Sequence, residues 1–146
     1  MRRVETGEVY SDEIPLDYFK EDRFKDKGYL EASVEITIKG IEKLNISKSE
    51  PILVCSGYIF SSIREYLRSR GNEVTNKKIT GITQEFAEME FKKSLIKLGI
   101  GSLREVETMR SFYGYLEWIK KDLPSREKYV KTGWSSWKKW KKKIDG

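Results

Sequence analysis

The chain has 146 residues, the length of one ordinary domain, and 38% of them are apolar, so we expect a folded core. It contains no histidine and a single cysteine, Cys55. This composition removes the commonest general base and excludes internal disulfides and zinc clusters. Charged residues reach 36%, a content typical of proteins from hot environments. One free cysteine fits a cytoplasmic location, which we expect here.

The positive charge is concentrated at the C-terminal end. The net charge is +6. Residues 120–146 carry ten basic and three acidic side chains, a net charge of +7, whereas residues 1–119 carry a net charge of −1. Such asymmetry predicts an anionic partner.

The first half of the chain predicts a strand over residues 2–10 and a second element over residues 31–39. In the latter, apolar and polar residues alternate, and the apolar residues are β-branched, which favours a strand. A helix is the alternative, because one helical stripe also collects apolar residues, namely Leu30, Val34, Ile38 and Ile41.

The middle of the chain alternates strands and helices. Residues 52–55 and 74–79 predict strands, and Gly71 ends the helix between them. A further helix follows Gly81. A capping-box pattern, Ser102 to Glu105, starts one long helix with Val106, Met109, Tyr113, Leu116 and Ile119 on its apolar face.

These elements predict an α+β fold, a small β-sheet packed with several α-helices and followed by a basic helical tail. We expect residues 1–123 to form the α+β core domain. Residues 124–146 would be a basic, Trp/Lys-rich extension of the same domain.

Motifs for cofactor chemistry are missing from the sequence. There is no Walker-type phosphate loop and no GxGxxG motif, so we expect no cofactor and no catalytic activity. Carboxylates leave one enzymatic alternative open, a metal-dependent nuclease of ribonuclease-H-like type. Its candidate metal ligands are Asp12, Glu35, Glu85, Glu88 and Asp122.

The C-terminal end interleaves tryptophan with lysine. Lysine neutralises phosphate, and tryptophan offers a flat ring on which any base can stack. Because a duplex hides its base faces, this combination favours a single-stranded nucleic acid. The candidate binding residues here are Lys131, Trp134, Trp137, Lys138, Lys139, Trp140, Lys142 and Lys143. Tyr58, Lys77 and Lys78 are further candidates.

A helical wheel divides this end into two faces. The tryptophans, Val130 and Ile144 share one face, and the lysines occupy the other, with only Lys141 on the apolar side. The tryptophan face therefore has two interpretations, base stacking or packing on the domain. The lysine face is exposed in both. We expect no membrane partner, since the apolar face is small.

Three segments of the middle region, residues 52–60, 79–81 and 84–88, resemble the archaeal ThermoDBP-type single-stranded DNA-binding proteins and their relatives. The resemblance implies an α+β DNA-binding domain with a basic cleft around an apolar floor, and a homodimer. Some members dimerise through a C-terminal leucine zipper, but this sequence has no heptad repeat there. The leading hypothesis is thus a protein that binds single-stranded DNA without strong sequence preference. A non-catalytic protein-interaction module is the other alternative.

Overall fold

A computed structural model describes all 146 residues and shows a small α+β fold, as predicted. The two strands are β1 (Ile52–Val54) and β2 (Val74–Asn76). The helices are α1 (Glu21–Lys25), α2 (Gly28–Lys43), α3 (Ser61–Arg70), α4 (Ile82–Lys97), α5 (Leu103–Thr108), α6 (Phe112–Lys120), α7 (Leu123–Arg126) and α8 (Trp137–Asp145). Short 3-10 helices cover Leu16–Phe19, Tyr58–Phe60 and Glu127–Tyr129. None of the helices is long and apolar enough to cross a membrane.

The chain divides into two compact units. Unit 1 consists of Met1–Ile14 and Lys27–Glu88, and unit 2 of Pro15–Asp26 and Met89–Gly146. The predicted C-terminal extension, residues 124–146, lies in unit 2 together with residues 89–123.

Unit 1 is built on a two-stranded parallel sheet. Ile52 pairs with Val74, and α3 makes the crossover between the strands. Gly71 ends α3 in the left-handed conformation (φ 106°), as predicted for a helix stop. The second strand ends at Asn76 and is shorter than the predicted 74–79. Near the N-terminus, the predicted strand over residues 2–10 is reduced to one antiparallel bridge between Arg2 and Val9.

The predicted strand over residues 31–39 is wrong, because these residues belong to helix α2. The helical alternative therefore holds, but of the stripe Leu30, Val34, Ile38 and Ile41 only Ile41 is fully buried. The buried face is made largely of small and polar residues. Its buried residues include Ala32, Ser33, Thr37 and Gly40, spaced as on one side of a helix. The Thr37 hydroxyl donates a hydrogen bond to the Ser33 carbonyl oxygen at 2.9 Å. This buried hydroxyl therefore has a hydrogen-bond partner inside the core.

Unit 2 packs short helices around two apolar clusters. One contains Leu95, Ile100, Val106 and Met109, and the other contains Leu116, Ile119, Leu123 and Trp137. Ser102 and Glu105 form the predicted capping box at the start of α5.

The predicted long helix after Ser102 is interrupted, giving α5 and α6. Ser111 starts α6 as its N-cap, accepting a hydrogen bond from the Gly114 N–H at 3.1 Å. The interruption changes the helical phase, so Tyr113 is exposed instead of lying on the apolar face.

Candidate nucleic-acid interface

Helix α8 has the two faces that the helical wheel predicts. Trp137 is 6% exposed and packs in the cluster with Leu116, Ile119 and Leu123. Trp134, Trp140, Val130 and Ile144 are half-buried against the same cluster. Of the two interpretations of the tryptophan face, packing on the domain therefore applies to Trp137, because its ring is in the core.

The half-buried carboxylate of Glu127 connects α8 to the rest of unit 2 through hydrogen bonds. It accepts a hydrogen bond from the Trp137 indole N–H at 2.9 Å and two from the Lys141 ammonium at 2.8 Å. The hydrogen bond from Lys141 lowers the pKa of Glu127 most, and the hydrogen bond from Trp137 lowers it further. Lys141, the lysine on the apolar side of the wheel, is thus the one that pairs with a carboxylate.

The segment before α8 is held by the N-terminal part of unit 2. The Lys20 ammonium donates to the carbonyl oxygens of Lys128 (2.6 Å) and Val130 (2.5 Å), and burial lowers its pKa. The Gly133 N–H donates to the Phe19 carbonyl oxygen at 3.1 Å. A side chain at position 133 would collide with Phe24, so glycine is required for this close approach. Two anchors therefore fix where the lysine face of α8 points within unit 2.

Beside α8 lies an aromatic cluster that we did not predict, formed by Phe112, Tyr113, Trp134 and Trp140. Phe112 is 48% exposed and Tyr113 66% exposed. The Phe112 ring centroid lies 5.2 Å from that of Trp140, 6.3 Å from that of Trp134 and 5.5 Å from that of Tyr113, all in edge-to-face geometry. The Tyr113 and Trp140 centroids are 6.4 Å apart. The sequence signal that locates this cluster is Ser111, a serine placed to cap a new helix immediately before the two rings.

Helix α8 carries four exposed lysines, namely Lys138, Lys139, Lys142 and Lys143. None of the four forms a salt bridge. The Lys143 ammonium lies 4.9 Å above the Trp140 ring, in a cation–π contact. Lys131, also exposed, lies 4.3 Å from the Phe24 ring centroid, and burial of its ammonium lowers its pKa. The structure thus brings unpaired cations and exposed aromatic rings together in unit 2.

The remaining predicted residues belong to unit 1. Tyr58 is 57% exposed, and the Lys27 ammonium lies 5.7 Å from its ring centroid. A hydrogen bond with the Tyr58 hydroxyl raises the pKa of Lys27. Lys77 and Lys78 are exposed in the loop after β2, where the Lys77 N–H donates to the Val54 carbonyl oxygen at 2.9 Å.

The two units differ in charge. Unit 2 has eighteen basic and eleven acidic side chains, a net charge of +7, whereas unit 1 has eleven and twelve, a net charge of −1. The positive excess that the sequence places at the C-terminal end therefore lies in unit 2.

The carboxylates that we considered as nuclease ligands do not converge. No group of three or more acidic or cysteine side chains is placed to hold a metal ion. Asp122 is instead the N-cap of α7, where it accepts hydrogen bonds from Ser125 that lower its pKa. Nothing in the geometry favours the nuclease alternative.

The chain matches no protein-family model, and it matches no curated protein or solved structure. The resemblance to the ThermoDBP-type proteins stays a prediction.

Proposed function

We propose that unit 2 binds single-stranded nucleic acid, with single-stranded DNA as the first candidate. The observation that carries this proposal is the aromatic cluster, in which Phe112 and Tyr113 are exposed and Lys143, a lysine of α8 without a salt bridge, lies over Trp140. Each half of this arrangement has a cost in the free protein. Exposed aromatic rings lose the stabilisation of burial, and clustered lysines repel one another. A ligand with flat bases and phosphates relieves both.

The aromatic cluster supplies the stacking surface. Tyr113 and Phe112 are held edge-to-face with Trp140, which is itself fixed by packing on unit 2. Rings held in this way lose little freedom when a base stacks on them. Base stacking on an aromatic side chain contributes about 1–3 kcal/mol per base and tolerates any base. Because paired bases are stacked on each other, the cluster favours a single strand over a duplex.

The lysines of α8 supply the phosphate contacts. At about 100° per residue, Lys143 lies about 60° and Lys139 about 100° around α8 from Trp140, whereas Lys138 and Lys142 lie about 160° from it, on the far side. The cation–π contact between Lys143 and Trp140 agrees with this placement. A strand whose bases stack on Tyr113 therefore has its phosphates near Lys139 and Lys143. The contact is electrostatic and independent of base sequence.

The direct test is a titration of the full chain with an oligothymidylate, following tryptophan fluorescence. We expect quenching at low salt and weaker binding to a duplex of the same length. Tyr113→Ala is expected to weaken binding by about 1–3 kcal/mol, or roughly 5- to 150-fold, since one stacking ring is lost.

The matched control is Tyr58→Ala, which removes a tyrosine of similar exposure from unit 1 (57% against 66%). We expect a much smaller effect from this variant. If no oligonucleotide binds at low salt, the proposed function is wrong, and the exposed cluster then serves a protein partner. If Tyr58→Ala weakens binding as much as Tyr113→Ala, the aromatic cluster is not the binding surface.

A further inference from the structure

A concave site in unit 2 lies at the other end of α6 from the aromatic cluster. It is a cavity of about 410 Å³, which we call the Trp118 pocket. A volume of this order lies within the range of small-molecule sites. Its lining includes two aromatic rings, Trp118 and Tyr129, whose centroids are 5.9 Å apart. The Tyr129 hydroxyl donates to the Leu98 carbonyl oxygen at 2.8 Å, which fixes that ring.

Two cations line the pocket, Arg126 and Lys128. The Arg126 guanidinium stacks on Trp118 with its central carbon 4.2 Å from the ring centroid, and one nitrogen donates to the Trp118 carbonyl oxygen at 2.5 Å. The Lys128 ammonium lies 5.1 Å from the Tyr129 ring centroid. Neither residue forms a salt bridge. The remaining N–H groups of both side chains are donors for a ligand.

Two carboxylates line the same pocket. One Glu105 oxygen accepts hydrogen bonds from the Ser102 backbone N–H and hydroxyl, both at 2.8 Å. Asp122 accepts from Ser125. These hydrogen bonds lower the pKa of both carboxyls, so both are ionised at neutral pH. Each carboxylate has about four lone-pair positions, so each can accept further hydrogen bonds.

We propose that the Trp118 pocket takes a guanine base. Guanine carries two adjacent donors, N1–H and N2–H, which match the two oxygens of one carboxylate. Its O6 and N7 are acceptors, for which Arg and Lys are the commonest partners. Adenine, cytosine and thymine lack this pair of adjacent donors. A pocket with anions, cations and aromatic rings thus fits guanine better than any other base. This inference rests on the proposed binding of single-stranded nucleic acid, to which it adds a preference at one nucleotide position.

The pocket is tested on the full chain with the four nucleoside monophosphates, by calorimetry and tryptophan fluorescence. We expect GMP to bind at least about tenfold more tightly than AMP, CMP or UMP, since a bidentate base contact discriminates by this order. Equal binding of all four, or no binding of GMP in the millimolar range, would overturn the proposal.

The decisive variant is the pair Glu105→Gln with Asp122→Asn. Gln and Asn preserve the two helix caps, so we expect the fold to persist, as circular dichroism would check. Removing two negative charges strengthens binding of any anion by electrostatics alone. Base recognition predicts the opposite sign, a loss of GMP affinity to the level of AMP. Unchanged or tighter GMP binding by the variant would contradict the proposal that the Trp118 pocket recognises guanine.

The two proposals fail separately. Oligothymidylate contains no guanine, so its binding reports on the aromatic cluster alone. If oligothymidylate binds and GMP does not, the pocket proposal is wrong and the proposed function stands. If GMP binds and oligothymidylate does not, the pocket stands and binding at the aromatic cluster is wrong.

Discussion

The aromatic residues of unit 2 differ in how deeply they are buried, and we expect their roles to differ accordingly. Trp137 is in the core of unit 2, Trp140 is half-buried under Lys143, and Tyr113 is mostly exposed. We therefore expect Trp137 to contribute to stability and Tyr113 to the proposed binding of nucleic acid.

Trp137→Ala is expected to lower the free energy of unfolding by about 3–5 kcal/mol, because it removes a buried indole and leaves a cavity. Trp137→Phe retains most of the packing and loses the hydrogen bond to Glu127, at a cost of about 1 kcal/mol. Urea denaturation measures both. An alanine variant with unchanged stability and abolished oligonucleotide binding would contradict this division of roles.

Helix α8 depends on an ion pair that titrates. Since the pKa of Glu127 is lowered in the folded state, its ionised form stabilises unit 2 above the pKa of the unfolded chain. That contribution disappears as the pH falls through the lower, folded pKa. We expect Glu127→Gln to lower the free energy of unfolding by about 1 kcal/mol at pH 7 and by less at acid pH.

Denaturation at pH 7 and at about pH 3 measures this difference. The control is Glu117→Gln, because Glu117 pairs with Lys120 at an exposed position on α6. An exposed pair of this kind contributes little, so we expect a change near zero at both values of pH. A Glu127→Gln effect that stays constant with pH would show that the carboxylate charge is not what fastens α8.

Helix α6 begins at Ser111, and this cap positions the aromatic cluster. Ser111→Ala is expected to reduce the free energy of unfolding by about 1 kcal/mol, with recovery in Ser111→Asp, which also caps. Thermal or urea denaturation measures the loss. If the alanine variant is as stable as the parent, the break between α5 and α6 is not set by this cap.

Several elements could be predicted because the sequence patterns that specify them are local. The strand at Ile52, the helix stop at Gly71, the capping box at Ser102 and the two faces of α8 each depend on neighbouring residues. For α2, the alternating β-branched residues favoured a strand over the helical alternative, because the core accepts Ser33, Thr37 and Gly40, which carry no apolar pattern. The aromatic cluster was missed because it joins α6 to α8, residues distant in the chain.

At the scale of the molecule, the two units differ in net charge, and we expect the single-stranded nucleic acid to bind unit 2, which has the positive excess. Each phosphate contact made by lysine releases a counterion, so the logarithm of affinity falls with the logarithm of salt by about 0.7 per contact for a single strand. The double variant Lys139→Gln with Lys143→Gln should reduce this slope by about 1.4 and weaken binding at low salt.

Two controls remove the same charge elsewhere. Lys138→Gln with Lys142→Gln changes the far side of α8, and Lys77→Gln with Lys78→Gln changes unit 1. A strand held along Trp140 and Lys143 predicts a smaller loss of slope for the first control and almost none for the second. Equal losses for all three pairs would mean that net charge, and not the arrangement of α8 beside the aromatic cluster, governs binding. Fluorescence titrations at several salt concentrations distinguish these outcomes, because net charge acts on the whole chain whereas phosphate contacts act only where the strand lies.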